Sequence, residues 1–376
     1  MRLMLLADSL GNGGAERQLA LLAAGLPAAW QRRVCALGGG PFESHLRAKG
    51  VPVEVLARRS RLDPALAAGL WRTLAASPPD VVHSWGWMST ALAGPLCRLM
   101  GLPLIDGTIR AGAVRRMRLG AVRPDHPRLG RIGMACATSI VANSRAGLEA
   151  WGIGSKKGVV VHNGFDWSRL RSQPIAAETG GRRRVESEDG FTVVMTARMT
   201  RDKDYSTVID AARLLRQAGR TWRFILVGDG EERSRLIREA ADLVHEGAVE
   251  FPEPSLEVLG YVRGADVGVL MTNVALHQEG CSNTIMEYMA CGLPVVCSEG
   301  GGNREVVVDG TTGLVIPPSD ARELAASLVF LHDNASERRA MGEAGRRRIE
   351  ESFSVERMVA GFVRVYENAL SASRRD

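Results

Sequence analysis

Short apolar runs alternate with longer amphipathic stretches along this chain, and they do so in two separate series. In the first series the runs Arg2–Ala7, Arg33–Leu37, Val53–Leu56, Val81–Ser84, Leu104–Thr108, Ser139–Ala142 and Val159–His162 read as strands. Helical patterns such as Glu16–Leu26 and Leu66–Ala76 fall between them. Nearly continuous apolar strands separated by helices are the mark of a parallel sheet covered on both faces. Residues 171–190 then turn polar, charged and glycine-containing, as linkers do.

A second series follows. Its strands are Thr192–Thr196, Arg223–Val227, Val249–Phe251, Val267–Met271, Pro294–Cys297 and Gly313–Ile316. Its helices are Tyr205–Ala218, Glu231–Leu243, Asn283–Ala290 and Ala321–His332, and a last amphipathic helix covers Val355–Leu370. The expected architecture is two doubly wound α/β domains, at 1–170 and 191–354, with 355–376 as a closing helix. A length of 376 residues suits two domains. Ligands of such sheets lie beyond the carboxyl ends of the strands, so two facing domains would hold a ligand in the cleft between them.

Composition narrows the class. Hydrophobic residues are 45% and charged residues 24%, as in globular proteins. No apolar run approaches the ~18–20 residues of a spanning helix; Leu19 to Trp30 is the best, and Pro27 interrupts it. The opening Met1–Asp8 is acidic by its eighth residue and reads as a first strand rather than a signal peptide. The cysteines at 35, 97, 136, 281, 291 and 297 form no C-x-x-C pair, so they are expected as reduced thiols in a cytoplasmic protein.

The charge is uneven. Residues 1–190 carry 26 Lys and Arg against 14 Asp and Glu, a net +12, while the remainder is −6. Seven arginines, at 110, 115, 116, 118, 123, 128 and 131, crowd one stretch with a single acid, Asp125. Such a stretch is either a solvated loop or a face for an anionic membrane or acceptor. Nucleic acid is a poor partner here, because aromatics are 5% and no recognition motif is present.

Four glycine-bearing turns lie at strand ends. Gly11-Asn12-Gly13-Gly14-Ala15-Glu16 opens a helix after the first strand, where backbone amides suit an anion. It departs from the dinucleotide fingerprint, since Glu16 stands where the third glycine belongs. Arg198 and Lys203 flank a short loop after Thr192–Thr196 and would suit a diphosphate or merely be solvated. In Gln278-Glu279-Gly280-Cys281-Ser282-Asn283-Thr284-Ile285-Met286-Glu287, Ser282 or Asn283 caps a helix that carries Glu287 on the face of Asn283. Glu287 precedes an apolar helix end and strand, so it needs a partner, either a structural cation or ligand hydroxyls. Ser298–Glu305 and Val227–Gly230 complete the set.

Taken together these residues resemble the retaining glycosyltransferases of family 4, which have the GT-B fold. The resemblance rests on the paired glutamates, C-G-L-P-V-V at 291–296, G-G-x-x-E at 301–305 and D-G-x-x-G-L at 309–314. G-G-A-E at 13–16, R-x-x-x-x-K at 198–203, V-G-D-G at 227–230 and N-G-F-D at 163–166 follow the same order. It implies that Arg198 and Lys203 bind the donor diphosphate and that Glu287 holds the ribose hydroxyls. Glu279 would contact the transferred sugar, with backbone amides from Gly280, Cys281, Ser282 and Asn283, and Gly13 and Gly14 would approach the phosphates. The closing helix would return to the first domain. Arg110 takes the place of a histidine common in the family, and His83 matches the first histidine of an H-S-H whose second is here Trp85. Glu279, Arg110 and His83 are therefore the catalytic candidates.

The activity so implied is transfer from a nucleotide-diphosphate sugar, with UDP favoured, to a glycan or lipid-diphosphate-linked acceptor of a bacterial envelope. Retention would come from front-face attack. The nucleotide sugar is a substrate and no separate cofactor is expected. No essential metal is expected. The expected location is cytoplasmic, peripheral to the membrane. A GT-B sugar-nucleotide epimerase and a non-catalytic nucleotide-sugar binding module are the alternative readings.

Overall fold

The computed structural model describes residues 1–56, 63–112, 127–172, 190–254 and 258–373. They form two compact α/β units. The linker at 171–190 and arginines 115, 116, 118 and 123 lie largely or wholly outside the described residues, as does the side chain of Arg128.

The strands run in chain order: β1 (Arg2–Ala7), β2 (Gln31–Ala36), β3 (Val53–Val55), β4 (Val81–Ser84), β5 (Leu104–Ile109), β6 (Ala111–Gly112), β7 (Ser139–Ala142), β8 (Gly158–Val160), β9 (Thr192–Thr196), β10 (Arg223–Val227), β11 (Val249–Glu250), β12 (Val267–Leu270), β13 (Gln278–Glu279), β14 (Val295–Ser298) and β15 (Gly313–Ile316). The first unit has a seven-stranded sheet of order β3-β2-β1-β4-β5-β7-β8, and the second a six-stranded sheet of order β11-β10-β9-β12-β14-β15. Neighbouring strands in both are parallel. β6 and β13 form a separate antiparallel ladder within the second unit, with Glu279 opposite Ala111.

Burial explains the strand sequences. β1 buries every residue after Arg2, because helices cover both faces of the sheet. β4, β12 and β14 are buried throughout. Helix Tyr205–Gln217 starts where the Asp204 carboxylate accepts the Thr207 amide, and it buries Tyr205, Val208, Ile209, Ala212 and Leu215. The last helix, Val355–Ser373, packs Met358, Val359, Phe362, Val365, Tyr366 and Ala369 into the core of the first unit, with Leu3, Leu5, Leu19 and Leu22.

One helix expectation needs correction, and one helix is additional. The helix read over Glu231–Leu243 breaks at Ala240 into Arg233–Glu239 and Ala241–His245. An 18-residue helix, Ala335–Ser352, follows Ala321–Asp333 and was not legible in the sequence. Its packed face is narrow, with Met341, Gly342, Gly345 and Ile349 buried in an otherwise polar helix.

Candidate functional site

In the second unit the polar residues gather at the carboxyl ends of β9 and β12, where a doubly wound sheet offers its binding edge. Helix Asn283–Ala290 is set there by Tyr288. Its buried hydroxyl accepts the Thr196 amide at 2.6 Å and donates to the Val269 carbonyl at 3.2 Å. At the other end of that helix Thr284 donates to the Thr196 carbonyl at 3.2 Å, and the Ser282 hydroxyl faces the Ile285 amide as cap. The helix N-terminus, with Ser282 and Asn283, is thereby held beside the loop that carries Arg198 and Lys203.

Glu279 precedes this helix. Its Oε1 accepts from the Lys203 ammonium and, at 2.9 Å, from the Thr272 hydroxyl. The two charged side chains are only 13% and 10% exposed. Burial pushes the Glu279 carboxyl up, but the charge and hydrogen bond of Lys203, with Thr272, more than reverse this and hold it below the usual carboxylate range. His277 stands 4.0 Å away through Nε2. Burial draws its pKa down, against the pull of Glu279, so the imidazole is neutral at pH 7 and supports Glu279 as a cation only in acid. Asp202 lies in the same cluster, where the nearby Thr200 and the charges of Lys203 and His277 overcome burial and keep its carboxyl low. Arg198 is exposed at its rim.

A backbone clamp fixes Glu279. The Gly302 amide donates to the Glu279 carbonyl at 2.8 Å. Gly301 has φ +57°, and a Cβ there would lie 2.1 Å from that carbonyl oxygen. Only glycine fits such a left-handed, crowded position. Gly301→Ala should cost about 1–3 kcal/mol and shift Glu279, read as a lower denaturation midpoint together with slowed transfer. Wild-type stability in that variant would show that the clamp is slack.

Glu287 has a different partner. Arg169 Nη1 donates to its Oε1 at 2.6 Å, with side-chain exposures of 17% and 6%. Of the two partners open to a buried carboxylate, the structural cation is thus present. The structure brings Lys203 and Glu279 together, keeps Arg198 within electrostatic reach of His277, and gives Glu287 to Arg169. Cys281 is buried, its sulfur 4.0 Å from that of Met286. Thr272, His277, Asp202, Tyr288 and Arg169 were missed in the sequence, because nothing local ties them to the motifs.

In the first unit, Gly13 caps helix Gly14–Gly25 with no side-chain cap, and the Asp8 carboxylate caps the helix after β4 by accepting the Ser89 amide at 2.7 Å. Arg110 closes β5, its Nε donating to the Gly107 carbonyl at 3.0 Å. His83 lies deep in the first unit. It is fully buried, and its Nδ1 lies 2.6 Å from the Tyr366 hydroxyl and accepts the Trp85 indole N–H at 3.1 Å. Since indole only donates, the ring proton sits on Nε2. Gly107 leaves room for that edge, as a Cβ there would come 2.4 Å from Nε2. Burial, then the charge of Arg110, drive the imidazole well below its usual pKa. The ring is thus packed in the core of the first unit, and its buried Nε2 has no hydrogen-bond partner among the described residues.

Comparisons with known proteins agree with this architecture. A glycosyltransferase family 4 model matches residues 12–169, and a glycosyl transferases group 1 model matches residues 181–348. The amylovoran biosynthesis glycosyltransferase AmsK of Erwinia amylovora is 31% identical over 166 residues, 43% of this chain and 41% of AmsK. The D-inositol 3-phosphate glycosyltransferase of Thermobispora bispora is 28% identical over 331 residues, 82% of this chain and 76% of that protein. Anabaena Alr3699/HepE, solved in complex with UDP-glucose, superposes with a TM-score of 0.80 at 22% identity, covering 98% of this chain and 100% of its own. With one such model on each parallel-sheet unit and the fold shared along nearly the whole chain, the protein has the GT-B fold, and the two matches together indicate a glycosyltransferase.

Proposed function

We propose that the protein is a retaining, metal-independent glycosyltransferase that moves a sugar from a UDP-sugar to a glycan or lipid-linked acceptor in envelope polysaccharide or glycoconjugate synthesis. The observation that carries this reading is the pair of buried glutamates eight positions apart, each matched to a cation, beside a helix N-terminus at the strand ends. AmsK, named for amylovoran biosynthesis, supports the polysaccharide setting, and the UDP-glucose complex of HepE supports the donor.

In this reading Arg198, Lys203 and the amides of Gly280 to Asn283 meet the donor diphosphate. Their fixed charges and dipoles stabilise it as it leaves, which is electrostatic preorganisation. Glu287 takes the ribose hydroxyls and Glu279 the sugar. Because Glu279 is tied to Lys203 and Thr272, it acts as an acceptor of hydrogen bonds rather than as a nucleophile. The bond from the anomeric carbon to the phosphate oxygen breaks while the acceptor hydroxyl bonds the same face. The acceptor proton passes to the departing phosphate. Incubation with radiolabelled UDP-sugars in EDTA, with and without a membrane extract, tests the reading. Label should enter a larger product only with the extract, with the anomeric configuration kept. Free UDP with an altered sugar and no acceptor dependence would instead mean an epimerase.

The acceptor side is read from charge. Residues 1–190 are net +12, and at the described end of the arginine stretch, helix Pro127–Cys136 exposes Arg131 together with Ile132, which is 51% exposed. No helix of the described residues is long and apolar enough to cross a membrane. Basic residues near an anionic surface contribute ~1 kcal/mol each, screened by salt. The protein should therefore sediment with anionic liposomes at low salt and be released at high salt, and Arg115, Arg116 and Arg118 changed to Ser should weaken this. Equal, negligible sedimentation with anionic and neutral liposomes would point to a soluble acceptor.

A further inference from the structure

Arg110 is held firmly in the first unit although no carboxylate among the described residues pairs with it. Its guanidinium carbon stands 3.8 Å over the Trp85 ring, and its Nε is held by the Gly107 carbonyl. The platform is itself fixed, since the Trp85 indole N–H donates to His83 and its ring lies 5.7 Å from that of Phe362. Among the described residues no carboxylate forms an ion pair with Arg110. Glu16 and Asp106 act on it only through space. The Glu16 carboxylate takes the Ser9 hydroxyl at 3.4 Å. Asp106 is fully buried and accepts the Thr108 amide at 2.9 Å, and burial raises its pKa.

Burial lowers the Arg110 pKa to about 10, and Glu16 and Asp106 offset only part of this, so the group remains a cation at pH 7. Proteins bury cations at a cost unless a partner compensates, and uncompensated ones gather at functional sites. The two Nη groups, which form the fork that grips planar oxyanions in two bonds, have no hydrogen-bond acceptor among the described residues. Glu16, whose charge reaches Arg110, sits in the first turn of helix Gly14–Gly25, and that helix starts at Gly13 without a side-chain cap.

We propose that Arg110, stacked on Trp85, is the receptor for an oxyanion on the substrate, a phosphate or a carboxylate. The carrier being a sugar or an acceptor rests on the glycosyl-transfer reading; the anion site itself does not.

The test uses the full chain saturated with UDP, so that the cations of the second unit are occupied. Thermal melts are followed while inorganic phosphate, glucuronate or neutral glucose is titrated. One of the two anions should stabilise the wild type and glucose should not; which anion acts distinguishes a phosphate from a carboxylate substrate. Arg110→Gln should weaken that response at least tenfold yet melt at or above the wild-type temperature without anion, because a half-buried, unpaired charge is gone. Arg110→Lys should lose the response as well, since an ammonium has no fork. An Arg110→Gln protein that melts lower and responds like wild type would make Arg110 a structural residue and overturn the proposal, as would no anion response in the wild type. Failure of the wild type to bind UDP at all would count against the donor reading instead.

Discussion

Lys203→Met should lose most transferase activity and acquire a stability defect that grows as pH rises. In the wild type the folded Glu279 carboxyl lies below its usual range, so its ionisation stabilises the fold above pH ~4.3 and that contribution fades as pH falls through the lowered value. Without Lys203, burial dominates and the carboxyl titrates above its unfolded value. The sign then reverses, and stability is lost as pH rises from ~4.3 through the raised value. Breaking a buried pair costs about 3–5 kcal/mol when the remaining charge stays ionised, so the defect should be large at pH 7.5 and small at pH 4.5, where Glu279 holds a proton. Adding Glu279→Gln should recover part of the loss. Donor binding should fall by about tenfold or more, since a charge-assisted contact is worth ~1.5–3 kcal/mol. Denaturation curves at the two pH values decide the matter, and equal defects at both would dissolve the Lys203–Glu279 coupling.

Glu287→Gln should weaken binding of free UDP by about tenfold or more, on the same magnitude for a hydrogen bond to a charged group. Glu279→Gln should leave UDP affinity within a few-fold while slowing sugar transfer, because the two carboxylates are assigned to different parts of one ligand. The Arg169 pair requires a further control, since loss of Glu287 also leaves a cation behind at a site only 17% exposed. Arg169→Gln should destabilise the fold while keeping more UDP affinity than Glu287→Gln. Isothermal titration with UDP, set beside denaturation midpoints, separates these. If the two variants lost affinity and stability in the same proportion, Glu287 would be a structural ion-pair partner and nothing more.

How much of this was legible can be argued from particular residues. The parallel strands were plain, and β1, β4, β7, β9, β10 and β15 begin and end where the apolar runs do. Burial on both faces demands such runs, and burial of that kind is written locally. The start of Asn283–Ala290 was legible for the same reason, since a cap acts across three residues. Helix Ala335–Ser352 was hidden because half of its packed face is two glycines, which carry no apolar side chain to count, leaving only Met341 and Ile349. The two-residue ladder of β6 with β13 is too short to show a period, and it pairs residues far apart in the chain.

The candidate site divides along the same line. Residue types and spacing alone singled out Glu279, Glu287, Arg198 and Lys203, because carboxylates and cations at strand ends stand out against apolar surroundings. Which cation meets which carboxylate was decided by the tertiary structure. Lys203 is 76 residues from Glu279 and Arg169 is 118 residues from Glu287, so only the topology of the sheet brings them within hydrogen-bond distance. His83 shows the same division. Its neighbours in sequence left open a place in the site, whereas Tyr366, 283 residues away, meets its Nδ1 within the core. Local pattern determines what a segment must bury. A buried polar group takes its meaning from the partner that satisfies it, and that partner is set by long-range packing.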